Sequence, residues 1–154
     1  MSHSKHFNSK QIKALDKLGD LMAPGDIDFP SFSKLKVSEH IDMVLDTVTP
    51  EDLEDLKLLF TVLSFLPSFA IGLFVSTIEL LAKIPGSIGA LPRMIMLGLK
   101  GIVMSLYYSG LKGEDVQSKN AHEVIGFGVS VYTDDLKKTD NSFKRNTDHG
   151  LDRF

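Results

Sequence analysis

The chain contains no cysteine among its 154 residues. Without cysteine, disulfide bonds, thiolate metal sites, iron–sulfur clusters, c-type haem attachment and cysteine nucleophiles are all excluded. The opening residues, MSHSKHFNSK, contain no apolar segment of signal-peptide length and no twin arginine, so we expect no export. The expected location is therefore the cytoplasm or the cytoplasmic face of the membrane.

An excess of charge of one sign is also missing. The chain has 17 basic and 20 acidic residues and a net charge of −3. No global field therefore attracts nucleic acid or an acidic membrane surface, and we expect no nucleic-acid partner. The length of 154 residues is enough for one domain with a core but short for two.

Recognisable catalytic motifs are absent from the sequence as well. It contains no G-x-S-x-G, no P-loop and no H-E-x-x-H. Gly126-Phe127-Gly128 lacks the strand–turn–helix context of a dinucleotide-binding loop. We therefore expect no catalytic and no cofactor-binding residues in this chain, and no enzymatic activity of its own. We also expect no metal site. A helical metal site needs two histidines three or four residues apart in one helix, and no predicted helix contains such a pair. The five histidines are His3, His6, His40, His122 and His149.

Apolar periodicity and helix-capping residues predict an all-α fold of about five helices in an irregular bundle. Thr49-Pro50-Glu51-Asp52 is the clearest helix start, because threonine caps, proline suits the first turn and acids face the positive end of the dipole. We assign residues 1–110 to the helical domain and residues 111–154 to an extended, polar C-terminal segment that wraps a partner or is partly disordered. The predicted helices run from Asn8 or Ser9 to Pro24, from a start between Ser33 and Val37 to Val48, from 50 to 66, from 67 to about 83 and from about 88 to 109.

The longest uncharged stretch, LLFTVLSFLPSFAIGLFVSTI, covers the 21 residues from Leu58 to Ile78. About 20 apolar residues cross a bilayer, but Pro67 divides this stretch into two pieces of core-helix length. Its flanks carry both signs of charge, and Glu79 and Lys83 stand four residues apart, as in a solvent-facing ion pair. We therefore predict two helices that are partly core and partly interface rather than a membrane span.

The fourth and fifth predicted helices are apolar on nearly all sides, which is more apolar surface than a five-helix domain can bury. Such a surplus is typical of a surface that contacts a partner protein or a membrane. Small residues on the fifth helix, including Gly98 and Gly101, also permit close approach of another helix. The candidate docking residues from this region are Phe60, Phe65, Leu66, Phe69, Leu73 and Phe74.

Three short motifs also occur in a fixed order along the chain. The opening helix ends in L-M-A-P-G-D at Leu21–Asp26, the last long helix ends in Leu106-Tyr107-Tyr108-Ser109, and Ile125-Gly126-Phe127 follows. Together they resemble the gluconate 2-dehydrogenase subunit 3 family, whose first helix ends in a "hydrophobic-x-P-x-D" pattern and whose last element carries "I-G-Y". The resemblance covers about residues 10–130.

This resemblance implies a role as a small helical subunit that binds a large flavoprotein of the glucose–methanol–choline type. The flavoprotein would hold FAD and oxidise an alcohol or sugar, and the small subunit would support its folding or membrane placement. The twin-arginine signal that exported members often carry is missing here, so a role in export is not expected. By the same resemblance, Tyr107, Tyr108, Ile125 and Phe127 would lie at or near the contact with the flavoprotein.

Two other interpretations of the apolar surplus stay open at this point. In the first, the chain is a small membrane-associated protein without a flavoprotein partner, and residues 58–78 insert as a helical hairpin. In the second, it is a helical lipid-binding protein whose middle helices line an apolar cavity. The tyrosine pair at 107 and 108 is read as a packing feature rather than as a catalytic acid.

Overall fold

The computed structural model describes residues 4–126 of the chain. Within this range the chain forms seven α-helices and one short 3-10 helix and no strand, which confirms the predicted all-α class. Phe127 and the rest of the predicted C-terminal segment lie outside the described residues. The elements are α1 (Ser9–Met22), α2 (Phe32–Leu35), the 3-10 helix (Val37–His40), α3 (Asp42–Leu45), α4 (Pro50–Ser64), α5 (Ser68–Ala82), α6 (Ser87–Tyr107) and α7 (Ala121–Ile125).

Helix α1 begins at the predicted cap and packs at the centre of the molecule. The Asn8 side chain accepts hydrogen bonds from the backbone N–H groups of Lys10 and Gln11. In return, the backbone N–H of Asn8 donates to the side-chain oxygen of Gln11. This reciprocal arrangement satisfies backbone donors that the first turn leaves unpaired. Gln11 then donates to the Lys57 carbonyl at 3.0 Å and to the Thr61 hydroxyl at 2.9 Å, which fixes α1 against α4.

The segment between α1 and α4 differs from the single helix that the sequence predicts there. Lys36 adopts a left-handed backbone conformation with φ of 52°, which ends α2 and separates it from the 3-10 helix. The N–H of Gly113 donates to the Leu35 carbonyl at this turn, so a distant segment stabilises the break. Val37, Ile41 and Leu45 are still buried, because the four-residue spacing of the predicted stripe survives the interruption.

The uncharged stretch forms two helices that are separated at Pro67, as predicted. Thr49 caps α4 and Pro50 occupies its first position, and the helix ends at Ser64. Proline has no N–H to donate and its ring clashes with the preceding turn, so the chain changes direction before α5 starts at Ser68. At 15 residues each, α4 and α5 are about 22 Å long. This is shorter than the roughly 30 Å thickness of a bilayer core.

Helices α5 and α6 form an antiparallel hairpin with polar interactions along it. Glu79 pairs with Lys100 of α6 at 3.1 Å, so the predicted ion pair between Glu79 and Lys83 is wrong. The neighbouring helix offers Glu79 a partner that sequence spacing alone does not reveal. The Arg93 guanidinium closes the end of the hairpin by donating to three carbonyl oxygens, those of Ala82, Ile84 and Gly86.

The core lies between α1, the short elements that follow it, α4 and the inner faces of α5 and α6. Phe60 is fully buried in it and its ring contacts the ring of Phe7, with centroids 5.1 Å apart. Gly19 allows the Phe32 ring to pack directly on the backbone of α1, where a larger side chain would collide with that ring. The largest fully buried side chains are Phe32, Phe60, Leu15, Leu18, Leu35, Ile41, Leu45, Leu63, Ile71, Leu99, Leu106 and Val37.

The helical unit includes residues beyond 110, which the sequence analysis assigned to the extended C-terminal segment. Asn120 caps α7, and its side-chain amide donates to the Gly110 carbonyl at the end of α6. Ala121 is fully buried in the core. The backbone hydrogen bond from Asn120 lowers the pKa of Glu123, the partner in this second capping box. These contacts attach α7 to the helical domain.

Two glycines of α6 are expected to respond oppositely to alanine. At Gly101, no described atom lies within 4 Å of an added Cβ, so Gly101→Ala should raise the free energy of unfolding by about 0.5–1 kcal/mol through helix propensity. At Gly89, an added Cβ collides with the Ile84 carbonyl oxygen, and Gly89→Ala should lower stability by about 1–3 kcal/mol. Urea unfolding followed by circular dichroism measures the free energy of unfolding of both variants. Equal changes in the two variants would contradict the hairpin geometry.

Candidate docking surface

The apolar surplus that the sequence predicts lies on the outer faces of α4, α5 and α6. Phe65, Phe69 and Leu73 have 74%, 78% and 67% of their surfaces exposed, so three of the predicted docking residues are accessible to a partner. Phe65 is the C-cap residue of α4 and Phe69 lies in the first turn of α5, so both flank the break at Pro67. Leu66 and Phe74 are partly buried and pack against the core. We call Phe65, Phe69 and Leu73 the corner patch.

Two of the predicted docking residues are buried, which corrects their assignment to an accessible surface. Phe60 is fully buried against Phe7, and Tyr107 is 4% exposed. Because the second half of α4 is apolar on most sides, its sequence does not reveal that Phe60 faces the core. Tyr108 and Ile125 are about half exposed and stay accessible. The predicted contact at Phe127 lies outside the described residues.

The tyrosine pair at the end of α6 forms a packing contact. The Tyr107 hydroxyl donates to the Pro30 carbonyl at 2.7 Å, and the Tyr107 and Tyr108 rings meet edge to face. Burial raises the pKa of Tyr107, and the nearby Tyr108 and Asp26 raise it further. At neutral pH the Tyr107 hydroxyl therefore remains a protonated donor that holds the loop before α2 against α6.

An apolar groove lies between α4 and α6. It has a volume of about 550 Å³ and forms because both helices pack on α1 without closing the space between them. Gly98 lies in it, and no described atom lies within 4 Å of a Cβ built there. The groove is lined by Val48, Asp52, Asp55, Leu56, Leu59, Leu91, Met94, Ile95, Gly98, Leu99 and Ile102.

The candidate docking residues predicted from the sequence do not lie in this groove. A signal for it exists, because Leu91, Met94 and Gly98 follow one another at spacings of three and four and so share one face of α6. Leu91 and Met94 are largely exposed, although each is a large apolar side chain. The periodicity predicts that these residues share a face, but only the packing of α4 reveals that this face borders a groove.

The polar side chains of the described region do not gather into a metal site. Residues 4–126 contain no group of three or more histidine, aspartate or glutamate side chains placed to hold a metal ion. The His6 ring nitrogen lies 2.9 Å from the Asp46 carboxylate, and the ring nitrogen of His40 lies 3.1 Å from the Lys112 carbonyl. Both contacts join distant parts of the chain and therefore serve the fold.

Asp16 is a partly buried carboxylate that sequence reasoning missed. One of its oxygens, Oδ1, has no hydrogen-bond partner among the described residues. Burial raises the pKa of the Asp16 carboxyl above its ordinary value of 3.8, the Ser38 hydroxyl opposes this shift, and Asp20 and Glu39 add to it. The sequence does contain an indication that Asp16 is partly buried. Asp16 stands four residues after Ile12 and therefore lies beside the apolar stripe of α1.

One helix in the described part of the chain, α6, is long and apolar enough to cross a membrane by length and composition. It is not the stretch that the sequence analysis considered, which is divided between α4 and α5. Leu99, Val103 and Leu106 in the C-terminal half of α6 are buried in the core of the domain. A membrane span over all of α6 would therefore require the core to open.

Comparisons with known proteins do not assign the chain to a family. No protein-family model matches it, and neither a curated protein nor a solved structure matches it significantly. The resemblance to the gluconate 2-dehydrogenase subunit 3 family therefore stays a prediction that depends on the short motifs quoted above.

Asp16→Asn is expected to stabilise the protein at neutral pH. Because burial raises the pKa of Asp16, the protonated form favours the folded state, and that stabilisation is lost as the pH rises through the folded-state pKa. The substitution should therefore raise Tm by a few degrees at pH 7 and have almost no effect below pH 3.8. Asp28→Asn in an exposed loop is the control, and a gain for Asp16→Asn that does not depend on pH would contradict this explanation.

Proposed function

We propose that this chain is a non-catalytic accessory subunit that docks on a large FAD-dependent flavoprotein of the glucose–methanol–choline type and stabilises it or places it at the membrane. The observation that carries the docking role is the open apolar groove between α4 and α6. The identity of the partner is supported by the resemblance of the Leu21–Asp26, Leu106–Ser109 and Ile125–Phe127 motifs to the subunit family.

The groove has the properties of a helix-binding or side-chain-binding site. Leu56 and Leu59 of α4 line one side, and Leu91 and Met94 of α6 line the other. Gly98 lies between them without a side chain, so the backbone of a partner can approach α6 closely there. A complementary amphipathic helix binds such a groove by inserting apolar side chains at helical spacing.

The corner patch adds aromatic anchors to the apolar surface. Phe65 and Phe69 are more than 70% exposed, and burial of a large apolar side chain contributes roughly 1.5–3 kcal/mol. Buried aromatic residues commonly carry much of the binding energy of an interface. Lys10 lies over the Phe65 ring, with Nζ 5.9 Å from the ring centroid, and helps to hold this side chain in place.

In this proposal the chemistry belongs to the partner. FAD and the alcohol or sugar substrate would bind to the flavoprotein, and this chain would supply apolar contact area. The expected consequence for the flavoprotein is a gain in stability, because a ligand that binds only the folded state shifts the unfolding equilibrium.

A pull-down of the tagged full chain from its native host in mild detergent tests the proposal. We expect a protein of flavoprotein size in the eluate, together with the absorbance spectrum of oxidised flavin. A colourless eluate that contains only this chain and lipid would overturn the flavoprotein assignment. Lipid binding in the groove is the second candidate function. Native mass spectrometry of that eluate would then distinguish the chain with bound lipid from the chain alone.

Gly98→Leu tests the groove without disturbing the fold. The added side chain enters open space and should not reduce stability, because no described atom lies within 4 Å of its Cβ. It fills the groove, however, and should weaken capture of the flavoprotein by about tenfold or more, equivalent to about 1.4 kcal/mol. Unchanged capture by a stably folded Gly98→Leu variant would exclude the groove as the docking site.

A charge introduced at two methionines provides a matched comparison. Met94 lines the groove, whereas Met43 in α3 is similarly exposed but does not. We expect Met94→Glu to reduce capture of the flavoprotein strongly, because a carboxylate would be desolvated in an apolar contact. Met43→Glu should capture as much flavoprotein as the wild type. Equal losses in both variants would indicate a non-specific effect of the added charge.

A further inference from the structure

The end of the α5–α6 hairpin extends beyond the core of the domain. Between Glu79 and Leu91 every residue is exposed except Ala82, Gly89 and Ala90. The nearest large buried side chains on the two helices are Ile78 and Met96, and neither belongs to the main core cluster. The residues beyond these two side chains therefore form an arm with solvent on most sides.

The exposed surface of this arm is apolar. Leu80, Leu81, Ile84 and Ile88 all have substantial exposed surface, with Ile88 the most exposed of them at 73%. We call these four residues the hairpin tip. Four large aliphatic side chains grouped at the end of a projecting hairpin form an apolar patch of the kind that marks a protein or membrane contact.

The charged side chains of the hairpin itself next to its tip are positive. No acidic residue occurs in the 34 residues from Leu80 to Gly113. Within residues 79–100 the chain has three cations and one acid, which gives a net charge of +2. Because Glu79 pairs with Lys100, the remaining positive charges are those of Lys83 and Arg93, both next to the hairpin tip. This distribution contrasts with the net charge of −3 for the whole chain.

We propose that the hairpin tip inserts into the interfacial region of a lipid bilayer that contains anionic headgroups. The apolar side chains would enter the boundary between headgroups and acyl chains, and Lys83 and Arg93 would face the anionic headgroups. A second copy of the chain fits the tip less well, because a symmetric contact would bring the same cations together. The inference does not depend on the docking proposal, which concerns the groove.

The hydrogen bonds of Arg93 prepare the hairpin end for this environment. Carbonyl groups at the end of a helix have no partner within the helix and are costly to remove from water. Arg93 donates to the carbonyl oxygens of Ala82 at the end of α5 and of Ile84 and Gly86 in the connection to α6, so three backbone acceptors at the hairpin end are already satisfied. The backbone of the tip can therefore leave bulk water at a reduced cost in unmade hydrogen bonds.

Two features limit the insertion to the interface. The C-terminal half of α6 belongs to the core of the domain, so the helix cannot cross the bilayer while the domain stays folded. Asp52 and Asp55 line the groove beside Leu91, one helical turn from Ile88. Their negative charges repel anionic headgroups and should stop the penetration near this level.

A tryptophan probe tests the insertion directly, because the chain contains no tryptophan. The full chain carrying Ile88→Trp should show a blue-shifted emission, and quenching by brominated lipid, with vesicles made of equal parts phosphatidylcholine and phosphatidylglycerol. Ile27→Trp is the matched control, because Ile27 is fully exposed in the loop before α2. A hydrogen bond from Tyr107 holds this loop at the C-terminal end of α6, and Tyr107 lies about 28 Å along the helix from Ile88. The emission of the Ile27→Trp variant should not change.

Flotation of the purified chain with the same vesicles gives a second readout. Ile88→Glu should lower the bound fraction by about tenfold, whereas Ile27→Glu should leave it unchanged. Lys83→Gln should reduce the preference for phosphatidylglycerol and the sensitivity to salt, because it removes a charge next to the tip.

Three outcomes would overturn the proposal. The wild type could fail to float with either kind of vesicle, the two tryptophan variants could shift equally, or Ile27→Glu could weaken binding as much as Ile88→Glu. Because the flotation uses no flavoprotein, its failure is distinguishable from a failure of the docking proposal. The chain could also bind vesicles of phosphatidylcholine alone as strongly as the mixed vesicles. This result would exclude the recognition of anionic headgroups.

Discussion

Burial of one face of α1 is the interaction on which the rest of the structure depends. Leu15 and Leu18 are fully buried, and α2, the 3-10 helix, α4, α5 and α6 all pack around this helix. Gln11 fixes α4 against it through two hydrogen bonds, and the Phe32 ring lies on Gly19. Since α4 and α6 each pack on α1 rather than tightly on one another, the space between them remains open as the apolar groove.

Pro67 determines how much apolar surface remains outside this core. Because the helix cannot continue through the proline, the uncharged stretch becomes two helices that contact different neighbours. Helix α4 packs mainly on α1, whereas α5 packs mainly along α6. Each helix then buries one face only, although α5 and the second half of α4 are apolar on nearly all sides. The exposed leucines and phenylalanines follow from this geometry and not from a failure to form a core.

The parts of the fold that local chemistry decides could be predicted from the sequence. Caps at Asn8 and Thr49 and the break at Pro67 depend on residues within one or two turns, and all three are confirmed. Other features depend on residues that are distant in the sequence. The turn at Lys36 is stabilised by a hydrogen bond from Gly113, and Glu79 pairs with Lys100 on the next helix. The orientation of Phe60 and the existence of the groove likewise depend on which helices become neighbours. Periodicity does not reveal these neighbours, because the second half of α4 is apolar on most sides.

Helix α6 combines two different environments along its 21 residues, and this division links the core to both proposed surfaces. From Leu99 to Tyr107 its apolar side chains complete the core, whereas from Ser87 to Gly98 most of them face the groove or the solvent. A helix that spans a membrane would expose apolar residues along its whole length. The buried C-terminal half instead anchors α6 in the folded domain, and its N-terminal half carries side chains of both the groove and the hairpin tip. Both surfaces are formed largely by regular helices before binding, and such preorganisation lowers the conformational entropy lost on binding.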